Sequence, residues 1–135
     1  MCEVRSLAND LKFGLAKETE YLPVIKDFFG EEKLEKTKDT FSIFDFQGKD
    51  RRYELKSRRC SHNRYLTTIV PVSKSKTDNV CFVFGFTDGL YYIHYNEELF
   101  SKFDIKQVSV YRDGIQGRPK AHYEIPISLL VRIDI

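Results

Sequence analysis

The spacing of apolar residues predicts one long helix near the start of the chain. Apolar side chains recur at helical intervals from Asn9 or Asp10 to Phe29, and either Asn9 or Asp10 can cap the helix. Gly30 follows as a stop signal, and Pro23 indicates a kink or two helices in succession. The predicted apolar stripe comprises Leu11, Leu15, Leu22, Ile25 and Phe29.

Glu18 falls in the centre of this stripe, whereas Glu20 lies on nearly the opposite side of the helix. A carboxylate within an apolar stripe costs several kcal/mol unless it is paired or coordinates an ion. Two interpretations stay open at this point. Either Glu18 is a functional acid, or the helix is frayed or kinked and lets Glu18 reach water.

The rest of the chain has the alternating pattern of mostly antiparallel strands. It begins with a charged linker from Glu31 to Asp39, and the clearest hairpin is joined by Thr87-Asp88-Gly89. Asn96 is predicted to cap a short helix over 97–103, and Ser128 to begin a last helical turn. The predicted strands span 41–46, 52–57, 66–72, 80–86, 90–95, 105–112 and 121–127, with Pro71 placing 66–72 at a sheet edge and loops over 58–65, 74–79 and 113–120.

The hairpin formed by the first two strands brings two acids together. If Lys49-Asp50 is its tip, facing residues have numbers that add to 99, and Asp45 then faces Glu54. Facing residues have Cβ atoms about 4.5–5.5 Å apart, where like charges repel unless a cation lies between them. Another turn length would change the register, so this pairing is a hypothesis.

Glu54 and Lys56 are two residues apart on the predicted strand and therefore project from the same face, with Leu55 directed towards a core. An acid and an amine fixed side by side, with Asp45 nearby, suit a divalent cation held next to a lysine. That chemistry is appropriate for cutting a phosphodiester bond. The alternative is an ordinary Glu/Lys pair on an exposed strand.

Composition indicates one globular domain spanning residues 1–135. The chain is 41% hydrophobic and 14% aromatic, and its length is sufficient for a core without disulfides. Three cysteines without CxxC spacing favour a reducing compartment such as the cytoplasm or nucleus. The N-terminal residues lack the apolar run of a secretory signal, and no stretch approaches the roughly 18 apolar residues of a membrane span.

Charge is informative through its distribution rather than its sum, because the formal net charge is only +2. Basic residues follow the Glu54-Lys56 segment closely, as expected of a surface that binds phosphates, although a solvated charged face explains them equally well. The candidate nucleic-acid-binding residues are Arg58, Arg59, Arg64, Lys74 and Lys76, with hydroxyls from Tyr65, Thr67 and Thr68.

The order of these residues resembles the PD-(D/E)xK nuclease superfamily. In that family a helix carrying an acid precedes a hairpin with Asp on one strand and Glu-x-Lys on the next. Gly14 to Glu18 is similar to the helical segment, and Asp45 matches the Asp, although Phe44 replaces the usual preceding Pro. Glu54-Leu55-Lys56 matches the Glu-x-Lys motif. The resemblance covers roughly residues 11–60, less than half of the chain.

This resemblance implies an α/β domain of restriction-endonuclease-like type, with a mixed β-sheet flanked by helices and an antiparallel C-terminal part. It implies a metal-dependent endonuclease, with DNA favoured over RNA because the superfamily mostly cuts DNA. Asp45, Glu54, Glu18 and the Leu55 carbonyl would bind Mg²⁺ or Mn²⁺. Lys56 would orient the attacking water or stabilise the developing charge.

Three further expectations accompany this resemblance. Segments 82–92 and 122–127 are similar to small viral or phage members of the superfamily. A homodimer is compatible with it, since many of these nucleases need two sites to cut two strands. The competing function is a non-catalytic nucleic-acid-binding or structural module that retains the fold.

Two other nuclease signatures are weaker. Gly89-Leu90-Tyr91-Tyr92-Ile93 is similar to the GIY-YIG motif, but that family separates its two triplets, and tyrosines on a hairpin explain the segment better. His62-Asn63-Arg64 is similar to part of an HNH site but has no partner histidine at ligand spacing. Neither GxxxxGK[ST] nor GxGxxG is present, so nucleotide binding through those loops is not indicated.

Overall fold

In the residues that the structure describes, the protein is a mixed α/β fold with one long helix and two main sheets. The computed structural model describes residues 7–37, 45–75, 79–109 and 111–134. The helices are α1 (Leu7–Phe28) and α2 (Glu97–Phe100), with 3-10 turns at Val72–Ser75 and Ile127–Leu129. The strands are β1 (Glu35–Lys36), β2 (Phe46–Gln47), β3 (Arg52–Ser57), β4 (Thr67–Pro71), β5 (Val80–Phe86), β6 (Gly89–His94), β7 (Ile105–Val108), β8 (Tyr111–Arg112), β9 (Ile115–Gln116), β10 (Lys120–Pro126) and β11 (Val131–Ile133).

Helix α1 is continuous through Pro23, so the alternative of two successive helices is wrong. It begins at Leu7, and therefore neither Asn9 nor Asp10 is its cap. Its end is confirmed at Gly30, which has a φ of 65°. The Gly30 amide donates to Asp27 O (3.2 Å) and the Glu31 amide to Lys26 O (2.9 Å). This pair of hydrogen bonds is the Schellman arrangement, in which glycine adopts the left-handed conformation most easily.

Only the C-terminal part of the predicted apolar stripe is buried. Ile25 is fully buried, whereas Leu11 and Leu15 are 58% and 55% exposed. The residues of α1 that pack on the core begin at Tyr21. The period of apolar residues defines a helix face, but it does not define how far along that face the sheet extends. The first half of α1 is consequently free to line a pocket.

The larger sheet is mixed and the second sheet is antiparallel. Six strands lie in the order β1-β2-β3-β5-β6-β11, with β3 and β5 parallel and the other neighbours antiparallel. A second sheet has the order β4-β10-β7, and β8 pairs with β9. As predicted from Pro71, β4 lies at an edge.

Strand β5 is buried throughout and separates two apolar clusters. Cys81 and Val83 pack in the cluster that contains Ile25 of α1. Phe82 and Phe84 pack instead with the cluster formed by the second sheet and α2, which includes Phe100, Val70 and Ile125. The large sheet is thus covered by a helix on one face and by the antiparallel sheet on the other. The expectation of flanking helices holds for one face only.

Several local predictions are confirmed and others are wrong. The β5–β6 hairpin forms around Thr87-Asp88, and the Asn96 side chain caps α2, which ends at Phe100 rather than 103. The charged segment 31–39 contains β1 in addition to linker, and the predicted strand 105–112 is interrupted. The last strand, β11, was not predicted. Most of the predicted strand 41–46 lies outside the described residues.

Among the described helices, none has the length and apolar character needed to span a membrane.

Candidate active site

Alternation along β3 places an acid and a lysine on the strand face opposite to the apolar cluster that contains Ile25. Tyr53 and Leu55 pack in the cluster that includes α1, so Glu54 and Lys56 project from the other face. Glu54 is nevertheless only 3% exposed. The alternative of an ordinary pair on an exposed strand is therefore wrong for Glu54.

Glu54 is held by two lysines. Lys56 Nζ lies 3.1 Å from Glu54 Oε1, and Lys74 Nζ lies 3.5 Å from Oε2. Burial nevertheless raises the pKa of Glu54 to about 7, with a further contribution from the Asp45 charge that opposes the effect of the lysines. Desolvation thus outweighs the attraction of two nearby ammonium groups.

Asp45 lies one residue before β2 and reaches β3 with its side chain. The ladder pairs Phe46 with Tyr53 and Gln47 with Arg52, which confirms the register whose numbers add to 99. Asp45 itself is outside this ladder, so its expected direct pairing with Glu54 is wrong. Its amide donates to Tyr53 O (3.1 Å), and its Oδ2 accepts a hydrogen bond from the Leu55 amide (2.8 Å). The side chain thereby satisfies a backbone donor of β3 next to Glu54.

Glu18 joins these acids from α1. Burial is the largest cause that raises the pKa of Glu18 to about 7. A hydrogen bond with Asp45 and repulsion from its charge raise this pKa further, whereas Lys36 lowers it. Lys36 Nζ lies 3.5 Å from Glu18 Oε2. Glu20, in contrast, is exposed and pairs with Lys17 at 3.0 Å. Glu18 rather than Glu20 is therefore the helix carboxylate that meets Asp45.

One pocket of about 280 Å³, here called the acidic pocket, is lined by Glu18, Asp45, Glu54 and Lys56 among others. Ser57 Oγ also belongs to it, and this atom is buried without a hydrogen-bond partner in the described structure. Such an atom is expected to find its partner in water or in a bound ligand. The lining residues are Asp10, Phe13, Gly14, Glu18, Asp45, Glu54, Leu55, Lys56, Ser57, Arg58 and Arg59.

The donor set suits a hard cation, because Mg²⁺ and Mn²⁺ prefer carboxylate and carbonyl oxygens. In the described ranges, however, no three His, Cys, Asp or Glu side chains are close enough to hold a metal ion as they stand. Glu54 faces lysines and Asp45 accepts from a backbone amide. A cation that binds Glu54 would therefore have to displace the ammonium group of Lys56 or Lys74 from this carboxylate.

Two of the predicted phosphate-binding arginines lie at this pocket. Arg58 donates to Ile69 O (2.7 Å), which fixes its guanidinium on β4. Arg59 donates to Asp10 Oδ1 (3.2 Å) and lies over the Phe13 ring at 4.3 Å.

The remaining predicted phosphate-binding residues are scattered. Arg64 lies over the exposed Tyr65 ring at 5.6 Å, and Thr67 is exposed while Thr68 is buried. Lys74 contacts Glu54, and Lys76 lies outside the described residues.

Sequence reasoning missed the roles of three side chains. The sequence predicts a phosphate contact for Lys74, which contacts Glu54 instead, and it indicates no role for Lys36 or Ser57. Lys74 lies 20 residues from Glu54, so no local pattern reports the contact. For Ser57 a signal did exist, since it is the last residue of β3 and adjoins the Glu-x-Lys motif.

The two weaker nuclease signatures have structural explanations. Segment 89–93 belongs to β6, where Tyr91 and Ile93 are buried in the core. His62 Nδ1 lies 2.5 Å from Asp88 Oδ2, and the ring stacks on Tyr91 with centroids 4.9 Å apart. His62 is thus part of a loop contact.

Comparison with known proteins returned no match, whether to a family model, to a curated protein or to a solved structure.

Proposed function

We propose that this protein is a metal-dependent endonuclease that hydrolyses phosphodiester bonds of nucleic acid, with DNA favoured over RNA. The proposal includes a restriction-endonuclease-like fold for residues 1–135. The observation that carries it is the convergence of Glu18, Asp45 and the Glu54-Lys56 pair on one pocket. Glu18 lies on α1, Asp45 lies one residue before β2, and the Glu54-Lys56 pair lies on β3. This order of elements is the one that the PD-(D/E)xK resemblance implies.

Each side chain has a distinct part in the proposed chemistry. Glu54, Asp45 and Glu18, with the Leu55 carbonyl, would hold Mg²⁺ or Mn²⁺. The bound cation supplies a water of lowered pKa and neutralises charge on the phosphate. Lys56 keeps its ammonium beside Glu54 at 3.1 Å, where it can orient the attacking water or bind a phosphate oxygen. Arg58 and Arg59 at the rim would bind neighbouring phosphates.

A second candidate is a nucleic-acid-binding module without catalysis. The observation that favours it is the engagement of both Glu54 oxygens by Lys56 and Lys74. If the lysines never release this carboxylate, cation binding is blocked and only the basic rim remains functional. The two candidates differ in one respect: the nuclease cuts nucleic acid in the presence of metal, whereas the module only binds it.

Cleavage assays distinguish them. Supercoiled plasmid, labelled single-stranded DNA and labelled RNA are incubated with the protein and Mg²⁺ or Mn²⁺, with EDTA as the blank. We expect metal-dependent cutting that falls at least a hundredfold in Lys56→Ala, because one positioned group that stabilises charge in the transition state contributes about 10²–10³-fold.

The matched control is Lys33→Ala, which removes an exposed lysine that does not line the acidic pocket. This variant should cut like the wild type. Activity that survives Lys56→Ala would come from a contaminating nuclease and reject the assignment. Binding without cutting of any of the three substrates would favour the module.

A further inference from the structure

A second pocket of about 430 Å³ adjoins the acidic pocket and shares Arg58 with it. Its volume is within the roughly 300–1,000 Å³ typical of small-ligand sites. It lies between the loop 58–66, strand β4 and the β5–β6 hairpin, and is here called the loop pocket. Nothing in the proposed hydrolytic chemistry uses this space.

The chemistry of the loop pocket is that of an anion receptor with an apolar floor. Arg58 and Lys106 supply positive charge, and Tyr65 and Thr67 supply hydroxyls. Phe86 contributes an aromatic surface. None of its described lining residues is a carboxylate, which distinguishes it from the acidic pocket. Donors grouped around an apolar surface fit a ligand with a flat, weakly polar body and an attached phosphate.

The loop that forms this pocket is fastened to the hairpin. The Thr87 amide donates to Cys60 O (3.0 Å), and the His62 amide donates to Asp88 Oδ1 (2.9 Å). The His62 Nδ1 atom also forms a hydrogen bond with Asp88 Oδ2 (2.5 Å), and this contact lowers the pKa of Asp88. A preformed pocket loses less conformational entropy on binding than a mobile loop would.

Tyr65 adds a stacking surface at the rim. Its side chain is 64% exposed, and the Arg64 guanidinium lies over the ring at 5.6 Å. An exposed aromatic ring beside a cation contributes little to folding. It is, however, what proteins use to stack successive bases of single strands, at about 1–3 kcal/mol per base.

We propose that the loop pocket takes the base and sugar of one unstacked nucleotide, whose phosphate lies at Arg58 beside the acidic pocket. This deepens the proposed nuclease function and rests on it. A base inside a duplex must first be unstacked and unpaired, which costs a few kcal/mol, whereas a single strand offers its bases freely. The preferred substrate is therefore a single strand or a frayed end rather than a continuous duplex.

Binding is measured by fluorescence anisotropy in EDTA, where no cutting occurs, with a labelled single strand and a blunt duplex of the same sequence. We expect the single strand to bind at least tenfold more tightly. Tyr65→Ala and Lys106→Ala should each weaken single-strand binding about tenfold, as expected from the loss of one stacked base or one phosphate contact. Tyr65 and the side chain of Lys106 are each 64% exposed, so we expect both variants to fold like the wild type.

The matched controls are Leu66→Ala and Lys102→Ala, which change an exposed apolar residue and an exposed lysine outside the pocket and should bind like the wild type. Equal affinity for duplex and single strand would overturn the proposal, as would pocket variants that bind like these controls. Displacement of the strand by free dAMP at comparable concentration would assign the pocket to a mononucleotide instead and also overturn it.

Cleavage assays keep this proposal separate from the nuclease itself. If Lys56→Ala abolishes cutting while Tyr65→Ala and Lys106→Ala bind and cut normally, the nucleotide pocket fails and the nuclease stands. If no substrate is cut but single-strand binding depends on Tyr65 and Lys106, the nuclease fails and the pocket assignment stands.

Discussion

Glu54 is the residue in which the structural and chemical requirements of this protein conflict. It is buried on a central strand, where a folded core prefers an apolar side chain, and two lysines compensate its charge only in part. Its pKa of about 7 records that imbalance. A carboxylate retained at such a cost is typical of functional sites, where stability is given up for chemistry.

The raised pKa of Glu54 has a defined effect on stability. Folded Glu54 keeps its proton up to a pKa of about 7, whereas the unfolded chain releases it near 4.5. Between these values the folded state binds more protons, so the free energy of unfolding decreases as pH rises and stays low above pH 7. Glutamine is neutral throughout and does not have this loss.

We therefore expect metal-free Glu54→Gln to be more stable than the wild type by about 3 kcal/mol at pH 8, with the difference falling below about 0.5 kcal/mol near pH 4.5. Urea unfolding at the two pH values measures it. Glu20→Gln, which removes an exposed carboxylate, should stay within about 0.5 kcal/mol of the wild type at both. A Glu54→Gln protein that is less stable than the wild type at pH 8 would mean that the lysine pairs outweigh desolvation.

At the scale of elements, the site depends on how α1 is docked. Gly85 of β5 lies under the Tyr21 ring, and a Cβ at this position would come within 2.8 Å of Tyr21 Cε2. Strand β5 is buried along its whole length. A methyl group there requires the Tyr21 ring to shift, and a shift transmitted to α1 would also move Glu18 relative to β3.

Gly85→Ala should accordingly destabilise the protein by about 1–3 kcal/mol, the usual cost of overpacking a core. Chemical denaturation provides the measurement. Gly14→Ala on α1 is the matched control, because a Cβ there meets no atom within 4 Å and alanine favours the helix by up to about 1 kcal/mol. Equal stability of Gly85→Ala and wild type would show that Tyr21 moves aside without affecting the helix.

The elements also show what the sequence could and could not provide. The bounds of β3, the register at Phe46 and Tyr53, and the Gly30 stop follow from local turn and capping chemistry, and all were predicted. The pairing of β11 with β6 was not, because it joins residues distant in the chain. The local pattern of this three-residue strand, Val131-Arg132-Ile133, carries no information about a remote partner.

The candidate site was predictable to a similar extent. Glu54 and Lys56 share a face because strand geometry requires it, and the structure has them 3.1 Å apart. The burial of Glu54 and its contact with Lys74 depend on β4 and the turn that follows it, which no spacing within β3 reports. The exposure of Leu11 and Leu15 likewise depends on where the sheet ends beneath α1.

For the whole molecule, two pockets of different chemistry meet at Arg58. The acidic pocket lies where α1, the start of β2 and β3 converge, and the loop pocket lies beyond it between the two sheets. The acidic pocket combines four carboxylates with Lys56, Arg58 and Arg59, whereas no described residue of the loop pocket is a carboxylate. A strand of nucleic acid that crossed both would meet a nucleotide receptor and then the proposed hydrolytic centre.

The most direct test of the central claim is an anomalous difference map from a crystal grown at pH 8 and soaked in Mn²⁺. At this pH the acids with a pKa of about 7 are ionised. We expect a Mn²⁺ peak between Asp45 and Glu54, with Lys74 Nζ displaced beyond its 3.5 Å contact with Glu54 Oε2, and no peak in Glu54→Gln crystals. A map without Mn²⁺ in the acidic pocket, with both lysines still on Glu54, would contradict the assignment.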